Sequence, residues 1–211
     1  MRKVLDILGI TDMAAGLKNV RTITLTAILI ALTIIGNRLL IIPVMPGMLE
    51  IRFGFIFLAT IAFLFGPVAA FFAGFTTNML GFLLFSGTGG FNPLFDLNIG
   101  LSGVLYAVFL YRRNPKSEYF IIWILAARAS VNFICHIIIN THLLIMFGFI
   151  PQGTAGVITT VRVFRNIALL PVEIIVMMII VKFVADYANK YKFVNFDTRK
   201  KLRDGQAYDK S

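Results

Sequence analysis

The chain has 211 residues, of which 58% are hydrophobic and 14% are charged, and its mean hydropathy is +0.86. Soluble domains carry about a quarter charged residues, so this composition excludes that class and predicts an integral membrane protein. The formal net charge is +10, a value that could indicate nucleic-acid binding, but the placement of the charges along the chain favours a topological explanation.

Uncharged runs separated by turn residues predict six membrane-spanning helices. An apolar run of about 20 residues crosses the hydrocarbon core, and proline and glycine end helices. The uncharged stretch from Phe53 to Phe95 is too long for one span, and Gly66-Pro67 divides it. The predicted helices cover residues 22–42, 52–65, 67–85, 94–111, 119–147 and 157–189. The fold class is therefore an all-α membrane protein with six transmembrane helices.

The charges predict how the chain is oriented. We divide it into an N-terminal lead (1–20), a six-helix domain (21–189) and a basic tail (190–211). Six spans place both termini on one side, and that side receives most lysines and arginines. By the positive-inside rule it is cytoplasmic, so we expect a multi-pass plasma-membrane protein with two cytoplasmic termini. The basic tail then marks topology and contacts anionic headgroups.

A polar stripe runs through the fifth predicted helix. Arg128, Asn132, His136 and Asn140 recur every fourth residue, and on a helix this spacing places them along one face. Such groups are costly in lipid, so the face should contact protein or a water-filled cavity. We expect Asn140 to contact a ligand and Arg128 to lie deeper, in a buried polar contact. The role of His136 stays open between ligand contact and structure.

Four arginines lie at the outer membrane face, where the positive-inside rule does not account for them. Each could place its charge among lipid phosphates or pair locally. Taken together, around one mouth, they favour a basin for an anionic ligand. These residues are Arg38, Arg52, Arg162 and Arg165.

Amides and one carboxylate occupy the same outer level. Each asparagine alone could make an interhelical hydrogen bond, and Asp96 could pair with Arg162 or Arg165. As a group they describe a polar pocket that opens outward. The predicted ligand-binding residues are Arg38, Asn78, Asn92, Asp96, Asn98, Asn140, Arg162, Arg165 and Asn166.

Motifs of catalysis are missing from the sequence. It contains no HExxH, no paired cysteines and no Walker A motif, so we expect no enzyme activity, no metal and no cofactor. A protein without an energy source needs partners to move a ligand. Ala27 and Ala31 form a small-xxx-small pattern that permits close helix packing, and we expect them to dock such a partner.

Several stretches, taken in order, resemble the substrate-binding (S) components of energy-coupling factor (ECF) vitamin transporters, in the folate-related group. The likeness covers about residues 18 to 185. It rests on KNVRTITLTAILIAL, LEIRFGF, LFGP, GLSGVLYAVFLY, INTHLL and RVFRNIALLPVE. The resemblance implies a riboflavin-transporter-like bundle of six helices that binds one vitamin tightly at its outer end. It also implies docking through Ala27 and Ala31 onto a transmembrane coupling (T) component driven by two ATPases.

The substrate is less determined than the family. Folate-specific members carry an aspartate in the third helix where TTNMLG places Asn78, and a threonine and a serine in the fourth where FNPLFDLNIG places Asp96 and Asn98. Many amides suit the hydroxyls and amide of pantothenate, which we favour slightly over folate. Alternatives from other classes are a membrane enzyme acting on lipid-linked anions, with His136 or Glu173 as acid or base, and a scaffold of a cell-envelope complex.

Overall fold

The computed structural model describes residues 20–45, 49–85, 92–111 and 113–190. Apart from Val20 and Lys190, the predicted lead and tail lie outside these residues. The described part contains six helices and a two-stranded hairpin, which confirms the predicted all-α class and helix number. In chain order these are α1 (Val20–Arg38), β1 (Ile41–Met45), β2 (Leu49–Arg52), α2 (Gly54–Phe65), α3 (Pro67–Phe85), α4 (Pro93–Leu110), α5 (Phe120–Met146) and α6 (Ala155–Lys190).

The first helix is shorter than the sequence predicts. It ends at Arg38, where the amides of Leu39 and Leu40 both donate to the carbonyl of Ile35, and the chain then enters a hairpin. A residue that precedes proline disfavours helical backbone, which applies to Ile42 before Pro43. The strands pair antiparallel with an irregular register after Pro43. The hairpin therefore replaces the predicted loop and the last turn of the predicted helix.

Four of the six helices are long and apolar enough to cross a bilayer, namely α3 to α6. The apolar part of α1 is shorter, and α2 has 12 residues, about 18 Å at 1.5 Å per residue. Helix α2 packs against α1, α3, α4 and α6. A helix that is apolar on all sides belongs in the core, and α2 fits this rule. Its buried residues after the first turn are Leu58, Ala59, Thr60, Ile61, Ala62, Phe63 and Leu64.

Glycines let α3 and α4 pack with their backbones in close approach. A Cβ atom added at Gly74 would lie 2.6 Å from the carbonyl oxygen of Ile99, and one at Gly100 would lie 2.9 Å from the ring of Phe71. Only residues without a side chain fit such contacts. This close approach brings the facing polar side chains of the two helices within hydrogen-bonding distance of each other.

Replacing Gly74 by alanine should destabilise the protein, because the new Cβ overlaps backbone atoms of α4. Overpacking costs about 1–3 kcal/mol, more than the roughly 1 kcal/mol that alanine gains in helix propensity. Gly81→Ala is the matched control in the same helix, since its Cβ would lie 3.6 Å from the nearest atom, Nε of Arg38. Thermal unfolding in detergent should show a lower midpoint for Gly74→Ala alone. Equal midpoints would contradict the packing argument.

Candidate ligand-binding site

A cavity of about 400 Å³ lies at the end of the bundle that carries the hairpin. All six helices contribute to its lining, through residues 33–38 of α1, 54–58 of α2, 78 of α3, 95–106 of α4, 128–140 of α5 and 162–173 of α6. Its volume falls within the range of small-molecule sites. Five of the helices contribute polar side chains to this lining, whereas α2 contributes Gly54, Phe55 and Leu58.

Seven of the nine predicted ligand-binding residues line this cavity. They come from five helices, and α2 is the helix that contributes none of them. That they share one cavity makes a common site possible, while their contact with a ligand stays a prediction. These residues are Arg38, Asn78, Asn98, Asn140, Arg162, Arg165 and Asn166.

The other two predicted residues lie outside the lining. Asn92 is the N-cap of α4, and its Oδ1 accepts a hydrogen bond of 3.0 Å from the amide of Leu94. Asp96 is 1% exposed, and its Oδ1 accepts a hydrogen bond of 2.6 Å from Nδ2 of Asn78. The partner of Asp96 is thus the neighbouring wall residue on α3, where the sequence suggested Arg162 or Arg165.

The floor of the cavity is an ion pair that crosses from α5 to α6. Nε of Arg128 donates to Oε2 of Glu173 at 2.8 Å, and Nη2 donates to Oε1 at 2.5 Å. This bidentate geometry is the strong form of the arginine–carboxylate interaction. Both side chains are more than nine-tenths buried, and both border the cavity. Arg128 therefore makes the buried contact that the sequence predicts, but it is not too deep to reach the cavity.

Three further side chains hold this pair in place. Nη1 of Arg128 donates to the hydroxyl of Tyr106 on α4, and its guanidinium lies 3.9 Å from the ring centre of Phe55 on α2. Asn132, one turn along α5, donates to Oε2 of Glu173 at 3.2 Å. A charged pair in the low-dielectric interior needs such partners, because its desolvation is expensive. Four helices are thereby tied together at the floor of the cavity.

The polar stripe of α5 lies on a widened helix. Residues Val131–Ile139 form a π-helix, in which the amide of Asn140 donates to the carbonyl of Cys135, five residues earlier. The same carbonyl also accepts a hydrogen bond of 3.2 Å from Nδ2 of Asn98 on α4. Such segments are rare and frequent at functional sites. Here the segment lies between Arg128 and Asn140, which both line the cavity, as does His136.

Sequence reasoning overlooked several residues of the lining. Phe55, Phe95 and Tyr106 border the cavity, but aromatic residues within apolar spans look the same whether they face protein, lipid or ligand. Asn37 also lines it and is held against Gly54, where an added Cβ would overlap the Asn37 side chain. The available signal for Asn37 was its position beside Arg38 at the end of the first span.

The charge of the lining is strongly positive. Five arginines and one glutamate border the cavity, so with histidine neutral the formal excess is four positive charges. Glu173 offsets Arg128 directly through the ion pair. In addition, Nη1 of Arg162 donates to the hydroxyl of Thr141 at 3.0 Å, which orients that guanidinium at the mouth. The arrangement suits an anion with more than one acidic group.

Comparison with known proteins shows the family. The family described as ECF-type riboflavin transporter, S component, matches residues 17–186. The chain belongs to this family. Membership makes it a component of a membrane transporter and not an enzyme, and it agrees with the six-helix fold.

Two relatives of this S component are named for folate. The folate transporter FolT of Clostridium novyi (strain NT) is 27% identical over 161 residues, which are 76% of this chain and 88% of that transporter. A crystal structure of FolT bound with folic acid superposes with a TM-score of 0.60 at 27% identity, and the match covers 75% of this chain and 90% of the other. The S component is thus similar to folate transporters in sequence and in fold.

Removing either half of the Arg128–Glu173 pair should destabilise this S component strongly. Arg128→Met and Glu173→Met each leave one buried charge unpaired, which costs about 3–5 kcal/mol. The double variant removes both charges, so it should be more stable than the sum of the single effects implies. Lys182→Met is the control: it removes an exposed charge from α6, the helix of Glu173, and should have little effect. Unfolding in detergent measures all four, and additive losses would refute the coupling.

Proposed function

We propose that this S component captures folate from outside the cell for ATP-driven uptake. The observation that carries the proposal is the likeness to FolT in both sequence and fold, the solved relative being bound with folic acid. The cavity supplies chemistry that agrees with this substrate.

Folate has two chemically different ends, and the lining offers partners for both. Its glutamate carries two carboxylates, which pair well with arginine guanidinium groups. Its pteridine and aminobenzoyl rings are flat, and Phe55, Phe95 and Tyr106 offer aromatic surface for them. Pantothenate has one carboxylate and no ring. The amide groups that favoured pantothenate from the sequence serve the edges of a pteridine equally well, so folate replaces it as our preferred substrate.

The placement of charge suggests how folate is oriented. Arg38 ends α1, Arg52 ends β2, and Arg162 and Arg165 lie in the first third of α6, all at the hairpin end. We place the glutamate among these arginines near the mouth. The rings then lie deeper, toward Tyr106 and the ion pair at the floor. This order leaves the most water-soluble part of the ligand nearest the surrounding water.

Uptake requires the partners that the family implies, a T component and two ATPase subunits. Ala27 and Ala31 lie exposed on one face of α1, where small side chains would let a partner helix approach closely. We propose that this face docks the T component. We further propose that both termini are cytoplasmic and that the cavity opens outward, since the hairpin end carries few of the lysines and arginines that mark the inner side.

Calorimetric titration of the purified protein should show one site that binds folic acid much more tightly than pantothenate. If folic acid gives no measurable heat while pantothenate binds tightly, folate is not the substrate. A protein that binds neither would leave the site without a vitamin function.

The orientation can be tested with the amide of pteroic acid, which lacks the glutamate and has no carboxylate. Arg165→Gln should weaken the binding of folic acid about 10- to 100-fold, because a hydrogen bond to a charged group contributes about 1.5–3 kcal/mol. The same variant should leave the affinity for this amide nearly unchanged. If both ligands lose affinity equally, Arg165 does not hold the glutamate.

A bulky residue on the docking face should block transport without affecting binding. Ala27→Trp is expected to abolish folate uptake by cells that produce the partner subunits, while its calorimetric affinity for folic acid stays the same. Ala168→Trp, at an exposed alanine of α6, is the matched control and should transport normally. Normal uptake by Ala27→Trp would exclude this face as the docking surface.

A further inference from the structure

A buried carboxylate stands behind one residue of the cavity wall. Asn78 on α3 lines the cavity, whereas Asp96 on α4 does not and is 1% exposed. Nδ2 of Asn78 donates to Oδ1 of Asp96 at 2.6 Å. Oδ2 of Asp96 has no hydrogen-bond partner among the described residues. Within them, Asn78 is therefore the side chain that donates a hydrogen bond to this carboxyl group.

The position of Asp96 in α4 holds it still. It lies in the first turn of that helix. That turn is fixed by the N-cap Asn92 and by Pro93 at its first position. The close backbone approach of α3 and α4 at Gly74 leaves little room for Asp96 to move relative to Asn78.

Oδ1 of Asp96 is the acceptor in this hydrogen bond, so it decides which way the amide of Asn78 points. The nitrogen must face Asp96, and the carbonyl oxygen is then turned away from it. Without such a partner, an asparagine side chain can rotate by half a turn and exchange its donor for its acceptor at little cost.

We propose that Asp96 is a positioning residue for specificity: it fixes Asn78 so that the α3 wall of the cavity presents a carbonyl acceptor and selects ligands that carry an N–H donor there. The inference rests on the proposed function only in its choice of ligand. The pteridine of folate carries an amino group on its pyrimidine edge, and such a donor satisfies the Asn78 oxygen. A ligand without it leaves that oxygen without a partner, which costs affinity.

Two ligands and three variants test this proposal by calorimetry. The ligands are folic acid and its analogue with methyl in place of the 2-amino group. The wild type should prefer folic acid about tenfold, as one hydrogen bond allows. Asp96→Asn should lower this preference below about threefold, because paired amides can adopt either orientation. Asn78→Asp/Asp96→Asn exchanges the two groups, restores a single orientation with an acceptor toward the cavity, and should restore the preference.

Asp186→Asn is the matched control, since it makes the same carboxylate-to-amide change at an exposed position of α6 outside the cavity lining. It should keep the wild-type preference. A full preference in Asp96→Asn, or a double variant no more selective than Asp96→Asn, would overturn the proposal.

A readout without ligand separates this proposal from the proposed function. In protein labelled with ¹⁵N-asparagine, the Asn78 amide is identified by its loss in Asn78→Asp. One of its protons should exchange slowly with solvent in the wild type and faster in Asp96→Asn. If folic acid does not bind but this protection is present, the substrate is wrong and the positioning stands. If the protons exchange as fast as those of an exposed asparagine, or Asp96→Asn leaves them unchanged, the positioning is wrong.

Discussion

The ion pair between Arg128 and Glu173 is the constraint on which the cavity end of the bundle depends. Burial of both charges in a membrane protein is tolerable because each oxygen of Glu173 accepts a hydrogen bond, while Tyr106 and the ring of Phe55 complete the shell of the guanidinium. These partners come from α2, α4, α5 and α6, so the pair can form only when four helices adopt one arrangement. The same arrangement leaves a polar space above the pair, which is the cavity.

Apolar packing at the opposite end of the bundle stabilises the fold, which allows the cavity end to be polar. There the interior is filled, with Phe63 and Phe120 in edge-to-face contact at 5.9 Å between ring centres, and Leu110 and Ile124 fully buried. The short α2 runs from the cavity to this packed end and meets α1, α3, α4 and α6 on the way. Because dense apolar packing and close helix contacts stabilise that half, the cavity half can carry polar side chains around the Arg128–Glu173 pair.

Local signals predicted the helices and part of the cavity lining. Uncharged runs, Gly66-Pro67 and polar residues within apolar spans need no tertiary information, and they identified six helices and seven lining residues. Contacts between residues distant in the sequence could not be predicted from these signals. The partner of Asp96 depends on how closely α3 approaches α4, and the π-helix contacts α4 through a hydrogen bond from Asn98 to the carbonyl of Cys135. Phe55 was missed because a ring that faces a cavity has the same sequence pattern as one in the core.

The two kinds of charge in the site have different consequences for binding. Glu173 offsets Arg128 within the protein, so that pair shapes the floor whether or not a ligand is present. The remaining arginines of the lining give the mouth its positive excess, and in a site with low-dielectric walls their field reaches further than it would in water. An anionic ligand therefore reduces the repulsion among them as it binds. In the proposed function, these arginines meet the two carboxylates of folate, while Asn78, oriented by Asp96, selects the donors of its uncharged end.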